Sequence, residues 1–288
     1  MKVGFITQLL WPRYGAFWQQ VAHAAEFEPV FPTVEHTLEQ LATPQLQEIR
    51  SVSFRIAAAQ ALALAEEAGM IIAPDVSLGV REPRGAGENP WIAALGDSLT
   101  LTFPELPPVF SVPAALGAVA EPAVLQFLQD GLFEPARVKR AWSRLRAPLY
   151  EKHVVRGDPF AKAANDPQFT GVIGQPWLFN DAVIEAAEDH FGPIVAQSAL
   201  AAEALVAEGE RVLERPLLPT DVEVIGAARM FARRAAVGRV ALIVDPLSSS
   251  DAWLQSRVQK LIGDRLHVVN ITDILPAEHA FAALYNAP

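Results

Sequence analysis

The chain has 288 residues, 51% apolar and 19% charged, which is material for two lobes of roughly 120–150 residues and not for a disordered polymer. Its formal net charge of -10 argues against nucleic acid, whose protein partners usually present a basic face. The absence of cysteine removes disulfides, thiolate nucleophiles and any thiolate-held zinc or iron–sulfur cluster.

In chain order, Lys2–Gln8 reads as a buried strand and Tyr14–Glu26 as an amphipathic helix. The turn between them, Leu9-Leu10-Trp11-Pro12-Arg13, is apolar where a nucleotide binder would carry glycines. It either folds back on the helix or forms a ligand wall or subunit contact. Pro29-Val30-Phe31 reads as a second strand, Ser53–Ala68 as an alanine-rich helix, and Met70–Asp75 as a third strand. Gly69 between the last two is expected to end the helix in a left-handed turn. Val109–Val112 reads as a strand and Glu121–Asp130 as a helix, with ordered loops over Pro74–Pro90 and Phe103–Pro122.

Pro135–Lys162 holds eight of the 23 basic residues: Arg137, Lys139, Arg140, Arg144, Arg146, Lys152, Arg156 and Lys162. Val138, Trp142, Leu145 and Leu149 recur there at helical spacing, which predicts a helix with one apolar stripe, bridging two lobes. Its basic residues form either a solvated face or an anion site.

The second half repeats the plan of the first. Thr170–Gly174 is a strand, followed by Gln175 and Trp177 as Gln8 and Trp11 follow the first strand. A helix capped by Asn180 and ending near Phe191 leads to the strand Pro193–Gln197. Asp221–Val237 is helical, Gly238 is expected to end it as Gly69 ends its counterpart, and Arg239–Pro246 is a strand. A helix over Asp251–Ile262, a strand over Leu266–Asn270 and a helix near Ala277–Leu284 complete the chain. The fold class expected is α/β: two Rossmann-like lobes, each with a short parallel sheet flanked by helices, with a cleft between them. The boundaries are an N-terminal lobe over 1–134, a bridging basic helix and linker over 135–165, and a C-terminal lobe over 166–288.

Ligands of open parallel sheets bind beyond the carboxyl ends of the strands. The sequence puts Thr7, Gln8, Trp11, Asp75, Gly174, Gln175, Trp177 and Asp245 there, with Ser248, Ser249 and Ser250 opening the next helix. The serines are either helix caps or an anion pocket. Asp75 and Asp245 either shape turns beside proline or act as paired carboxylates, and they are the weak candidates for catalysis. No Walker lysine loop, no G-x-S-x-G elbow and no dinucleotide fingerprint occurs, since Gly85-Ala86-Gly87 lacks the third glycine. The six histidines are scattered, so no metal site and no nucleotide cofactor are expected. No secretory leader and no span of ~18 apolar residues is seen, so a cytoplasmic location and no membrane partner are expected.

Lys2-Val3-Gly4-Phe5-Ile6, Tyr14–Trp18 and Phe27–Phe31 resemble the opening of the CoA-enzyme-activase-associated domain, an uncharacterised family related to 2-hydroxyacyl-CoA dehydratase subunits. Val172–Asn180 resembles that family's A-G-R-P-Y-H-x-D stretch, and Asp221–Asp251 lies where the family has a helix, a strand and an F-G-C-G turn. The resemblance covers most of the chain apart from the proline-rich loops. It implies that the family's first cysteine falls at Val52-Ser53-Phe54-Arg55 and its second near Ser248. The proline, lysine and histidine of the first motif become Arg55, Ala57 and Gln60. Serine is a poor ligand for iron–sulfur clusters. The resemblance therefore implies a scaffold kept and a cluster lost, with reductive dehydration by that route excluded.

The function expected is binding of a small molecule, an acyl-CoA or another anionic metabolite, between the lobes. Gln8, Ser53, Gln175, Ser248 and Ser249 would supply hydrogen bonds, Trp11 and Trp177 the walls, and Arg13 and Arg55 the anion contacts. The alternatives are a non-redox enzyme using Asp75 or Asp245, and an interaction subunit that pairs with itself or with a family member.

Overall fold

A computed structural model describes residues 1–49, 51–77, 91, 94–151, 169–213, 217–245 and 249–275. The described residues up to 151 form one compact unit and those from 169 onward form another. The expected helix near Ala277–Leu284 lies outside the described residues, as do Lys152, Arg156 and Lys162.

The first unit runs β1 (Lys2–Phe5), α1 (Trp11–Ala24), β2 (Glu28–Val30), α2 (Val34–Leu41), α3 (Pro44–Gln47), α4 (Val52–Ala65), β3 (Met70–Asp75), α5 (Leu95–Thr102), β4 (Val109–Pro113), α6 (Glu121–Leu132) and α7 (Pro135–Leu149). Its strands lie in the order β2-β1-β3-β4, all parallel. The second runs β5 (Phe169–Gly174), α8 (Asp181–Phe191), β6 (Ile194–Ala196), α9 (Ala202–Glu210), α10 (Pro219–Ala232), β7 (Val237–Val244), α11 (Ser249–Ile262), β8 (Leu266–Asn270) and α12 (Ile271–Ile274). Its order is β6-β5-β7-β8, again all parallel. The two lobes therefore share one α/β plan. Parallel strands covered on both faces must be apolar on both faces, and Val172, Ile173, Val240, Leu242 and Ile243 are all buried.

The opening turn packs inward. Leu9, Leu10 and Trp11 are buried, and the Trp11 ring lies 5.8 Å from Phe5, 5.4 Å from Tyr14 and 5.9 Å from Phe31, centroid to centroid. Leu9 and Leu10 take φ of 55° and 62°, left-handed backbone that costs a side-chain-bearing residue about 1–2 kcal/mol. Burying a leucine returns about 1.5–3 kcal/mol, so the apolar turn outweighs its own strain. Pro12 follows in the first turn of α1, where a missing N–H removes no helical bond.

Gly69 and Gly238 do not end helices in left-handed turns. The α4 helix stops at Ala65, and the Gly69 N–H donates to Lys2 O at 3.0 Å, which aligns the start of β3 with β1. Gly238 lies inside β7, beyond the end of α10 at Ala232. Neither glycine has positive φ. Gly69 stands where β3 begins against β1, and Gly238 where the β5–β7 register shifts between Val237 and Arg239.

The basic helix α7 belongs to the first unit and packs on α1 and α6. Its buried stripe is Val138, Ala141, Leu145 and Leu149, with Trp142 half-buried. Arg137 pairs with Glu26, and Lys139, Arg140, Arg144 and Arg146 are exposed, as a solvated face requires.

Under the end of β1 a fully buried glutamine takes up the backbone N–H groups where the ladder stops. Gln60, on α4, accepts from the Thr7 N–H at 3.0 Å and the Gln8 N–H at 3.2 Å, and its own amide donates to Thr7 Oγ1 at 3.0 Å. These N–H groups lie past the last ladder residue of β1. Gln60→Leu keeps the volume and orphans two buried donors, so it is expected to lower unfolding free energy by about 2–4 kcal/mol in urea titration. A loss under ~0.5 kcal/mol would show that water reaches those groups.

Candidate functional site

Each lobe has a topological switch point, where the chain leaves one side of a central strand and continues on the other. It lies between β1 and β3 in the first lobe and between β5 and β7 in the second. The polar residues at these two places differ in kind.

In the first lobe the fully buried ones are neutral. Gln8 is fully buried, and neither its Oε1 nor its Nε2 has a hydrogen-bond partner. Ser53, in the first turn of α4, is buried with Oγ unpartnered. Arg13 in α1 and Arg55 in α4 are half-buried. Asp75 is half-buried, and its Oδ1 accepts from the Ser77 N–H at 2.8 Å. Such an Asx turn gives Asp75 the turn-shaping role.

In the second lobe they are acidic. Gln175 follows β5 and donates from Nε2 to Asp221 Oδ1 at 2.8 Å. Asp221 sits in the first turn of α10, a helix buried on nearly every side from Thr220 to Ala228. Asp245 follows β7, and its N–H donates to Asp251 Oδ2, in the first turn of α11, at 2.6 Å. Behind these, Gln197 accepts from the Gly174 N–H at 3.3 Å and donates to Glu223 Oε1 at 3.1 Å. Asp221 is 0%, Gln175 1%, Asp245 3% and Asp251 4% exposed, so water scarcely reaches any of them.

The pairing is incomplete. Gln175 Oε1, Asp221 Oδ2, Asp251 Oδ1 and Thr220 Oγ1 are buried without a hydrogen-bond partner. An unmet buried polar atom costs about 1–3 kcal/mol, more when charged, so four together need a reason.

Both carboxyls respond by holding their protons. Burial pushes Asp221 up to about 7, against which the Gln175 hydrogen bond pulls down. Burial likewise pushes Asp251 up to about 8; the Asp245 N–H bond opposes it, while the charges of Asp245 and Asp221 add to it. Each can therefore exchange a proton near neutrality, the condition for acid–base work. Among the described residues no group of three or more histidines and acids is placed to hold a metal ion.

Of the residues expected at a site, Gln175 and Asp245 fall in this cluster. Trp177 is buried in the 3-10 turn after Gln175, and Trp11 is packed among aromatic rings. Ser248 lies outside the described residues, and Ser249 is described only as the first residue of α11. Asp221 and Asp251 were not singled out in the sequence. An acid in the first turn of a helix is what the helix dipole favours, and both look like ordinary examples. The available signal for Asp221 was its neighbours: Val222, Val224, Ile225 and Ala227 leave that helix no polar face to turn outward. Comparison of the chain with protein families, with curated proteins and with solved structures finds no match.

Proposed function

We propose that this protein binds a small polar molecule at the carboxyl ends of β5 and β7, with Gln175, Asp221 and Asp251 as the recognising groups. One observation carries the reading: Gln175 Oε1, Asp221 Oδ2 and Asp251 Oδ1, on the segments that follow β5 and β7 and open α10 and α11, are buried without a hydrogen-bond partner. The resemblance to the CoA-enzyme-activase-associated domain fits this as a relative that kept paired lobes and lost the thiolates.

A second reading, a non-redox enzyme, is favoured by the proton affinities of Asp221 and Asp251, one of which would act as acid while the other acts as base. Thermal shift against a metabolite panel of acyl-CoAs, polyols, amides and amines tests the binding reading. Wild-type protein is expected to gain a few degrees with at least one class, and Gln175→Leu to lose that gain. A panel that shifts neither protein overturns the proposal, and turnover of the stabilising compound moves the assignment to the enzyme.

A further inference from the structure

We infer that the three arginines gathered on Glu208 form a receptor for a phosphate monoester: Arg211, Arg229 and Arg233, oriented by one carboxylate, bind its dianion. This site is independent of the one proposed above and lies toward the opposite end of α10 from Asp221.

Geometry brings the three side chains to one point. Glu208 stands on α9 one residue before Gly209, where the main chains of α9 and α10 meet: a Cβ on Gly209 would lie 2.2 Å from Val222 O. Glu208 Oε1 accepts from Arg229 Nε at 2.7 Å and from Arg233 Nη1 at 2.9 Å, and Oε2 accepts from Arg211 Nη1 at 2.6 Å. Arg211 follows the last residue of α9, and Arg233 follows the last residue of α10. Two guanidiniums thus share a single oxygen atom and the third sits on its twin. The carboxylate is only 12% exposed, so it works as a template beneath them.

Charge says what the template is for. Three cations on one anion leave two positive charges in excess, on a chain whose net charge is -10. Among the described residues none of the three pairs with another acid. The carboxyl ends of helices favour cations, which accounts for basic residues at these positions. It does not account for their convergence. The second and third arginines repel the first at short range, and exposed ion pairs add little stability to offset that. A bound dianion turns the repulsion into attraction.

Hydrogen bonding narrows the ligand. Each bond to Glu208 uses one of the five N–H groups of its guanidinium. Arg211 and Arg233 are 65% and 60% exposed, so donors remain open to solvent there. Planar guanidinium forks match the oxygens of phosphate in pairs. A carboxylate or a phosphodiester carries a single charge and leaves half of the excess unmet. A phosphate monoester carries close to two at pH 7.

Calorimetric titration of the full chain, in phosphate-free buffer at constant ionic strength, tests this with phenyl phosphate, inorganic phosphate, dimethyl phosphate and acetate. At about pH 7.5 phenyl phosphate is expected to bind at least tenfold more tightly than dimethyl phosphate or acetate. At about pH 5, below the second pKa of about 6 for such esters, it should weaken at least threefold. The double variant Arg211→Gln with Arg233→Gln, checked for an unchanged circular dichroism spectrum, should lose at least tenfold in affinity. Arg211→Lys with Arg233→Lys keeps the charge and should recover only a minor part of that loss. Inorganic phosphate matching phenyl phosphate identifies the free ion as the source, and a preference for phenyl phosphate identifies an esterified one; both support the site. Dimethyl phosphate or acetate binding as tightly as phenyl phosphate overturns it, as general attraction of anions. So do full affinity in the glutamine or the lysine variant, and the absence of phenyl phosphate and inorganic phosphate binding at millimolar concentration. None of these results touches Gln175, so the reading of the switch point stands or falls by its own panel.

Discussion

Lowering the pH from 8 to 5.5 is expected to stabilise the second lobe, and Asp221→Asn with Asp251→Asn is expected to abolish most of that gain. Most carboxyls do the reverse. A paired surface acid has its folded value below its unfolded one and loses stability on acidification. Here the folded values are raised, to about 7 for Asp221 and about 8 for Asp251, against an ordinary 3.8. Between pH ~4 and ~8 the folded state therefore holds up to two protons that the unfolded chain does not. Linkage makes stability fall as pH rises through that window, by up to about 1.4 kcal/mol per unit for each group. The whole effect is on the order of 2–5 kcal/mol, because relaxation around buried acids trims the ideal figure.

Glu208 works in the other direction and in another range. Burial pushes it up, but the Arg229 hydrogen bond and the charges of Arg211, Arg229 and Arg233 pull it below its usual 4.5. Its contribution is present above that value and is lost only as pH falls below it, so it leaves the window of the aspartates untouched. The asparagine variants keep both described hydrogen bonds, since the amide oxygen can accept from Gln175 and from the Asp245 N–H. Urea unfolding at pH 5.5 and 8.0 measures the effect. A wild-type midpoint that rises with pH, with the double variant no more stable at pH 8, would mean that both carboxylates are ionised and compensated.

Gly226→Ala is expected to prevent the second lobe from folding, with a loss of about 3 kcal/mol or more. In an isolated helix the same change is favourable by about 0.8–1 kcal/mol, so the sign itself is diagnostic. The difference is the crossing of α9 and α10. A Cβ on Gly226 would lie 1.8 Å from Leu205 O and 2.7 Å from Leu205 C. One on Gly209 would lie 2.2 Å from Val222 O. These are backbone atoms, which cannot swing aside as the end of a long side chain can. The helices touch through their main chains, and Arg229 bonds Glu208 one residue from that contact. Parting them would unseat Phe231, Val224 and Leu205 from the core they share with β7 and α11. Soluble yield and Tm against wild type decide it; a Tm equal to or above wild type would show that the helices do not meet there.

Much of this architecture was legible as pattern. Apolar runs bounded by Pro-Asp and Asp-Pro gave β3 and β7 to within a few residues, and β8 was read to its bounds. Asn180 was read as a cap, and its Oδ1 accepts from the Val183 N–H at 3.0 Å. What escaped was information held by partners distant in sequence. The α9 helix has no strong apolar stripe, and its Gly209 acquires meaning only against Gly226. Gly69 and Gly238 sat where helix-ending glycines sit, yet Gly69 bonds the neighbouring strand and Gly238 lies inside β7. At the site Gln175 was foreseen because it follows a strand. Asp221 and Asp251 were not: Asp221 meets Gln175 from 46 residues away, and Asp251 looks like an ordinary first-turn acid until the backbone of Asp245 is seen against it.

The repetition of one strand order in both halves supplies something rarely available inside a single protein, an internal control. The first lobe folds on the same topology with Gln60 as its central polar tie and, among its described residues, no buried acid. The second carries four: Asp221, Glu223, Asp245 and Asp251. Building this scaffold does not require buried acids, so the second lobe carries a standing energetic disadvantage that the described part of the first avoids.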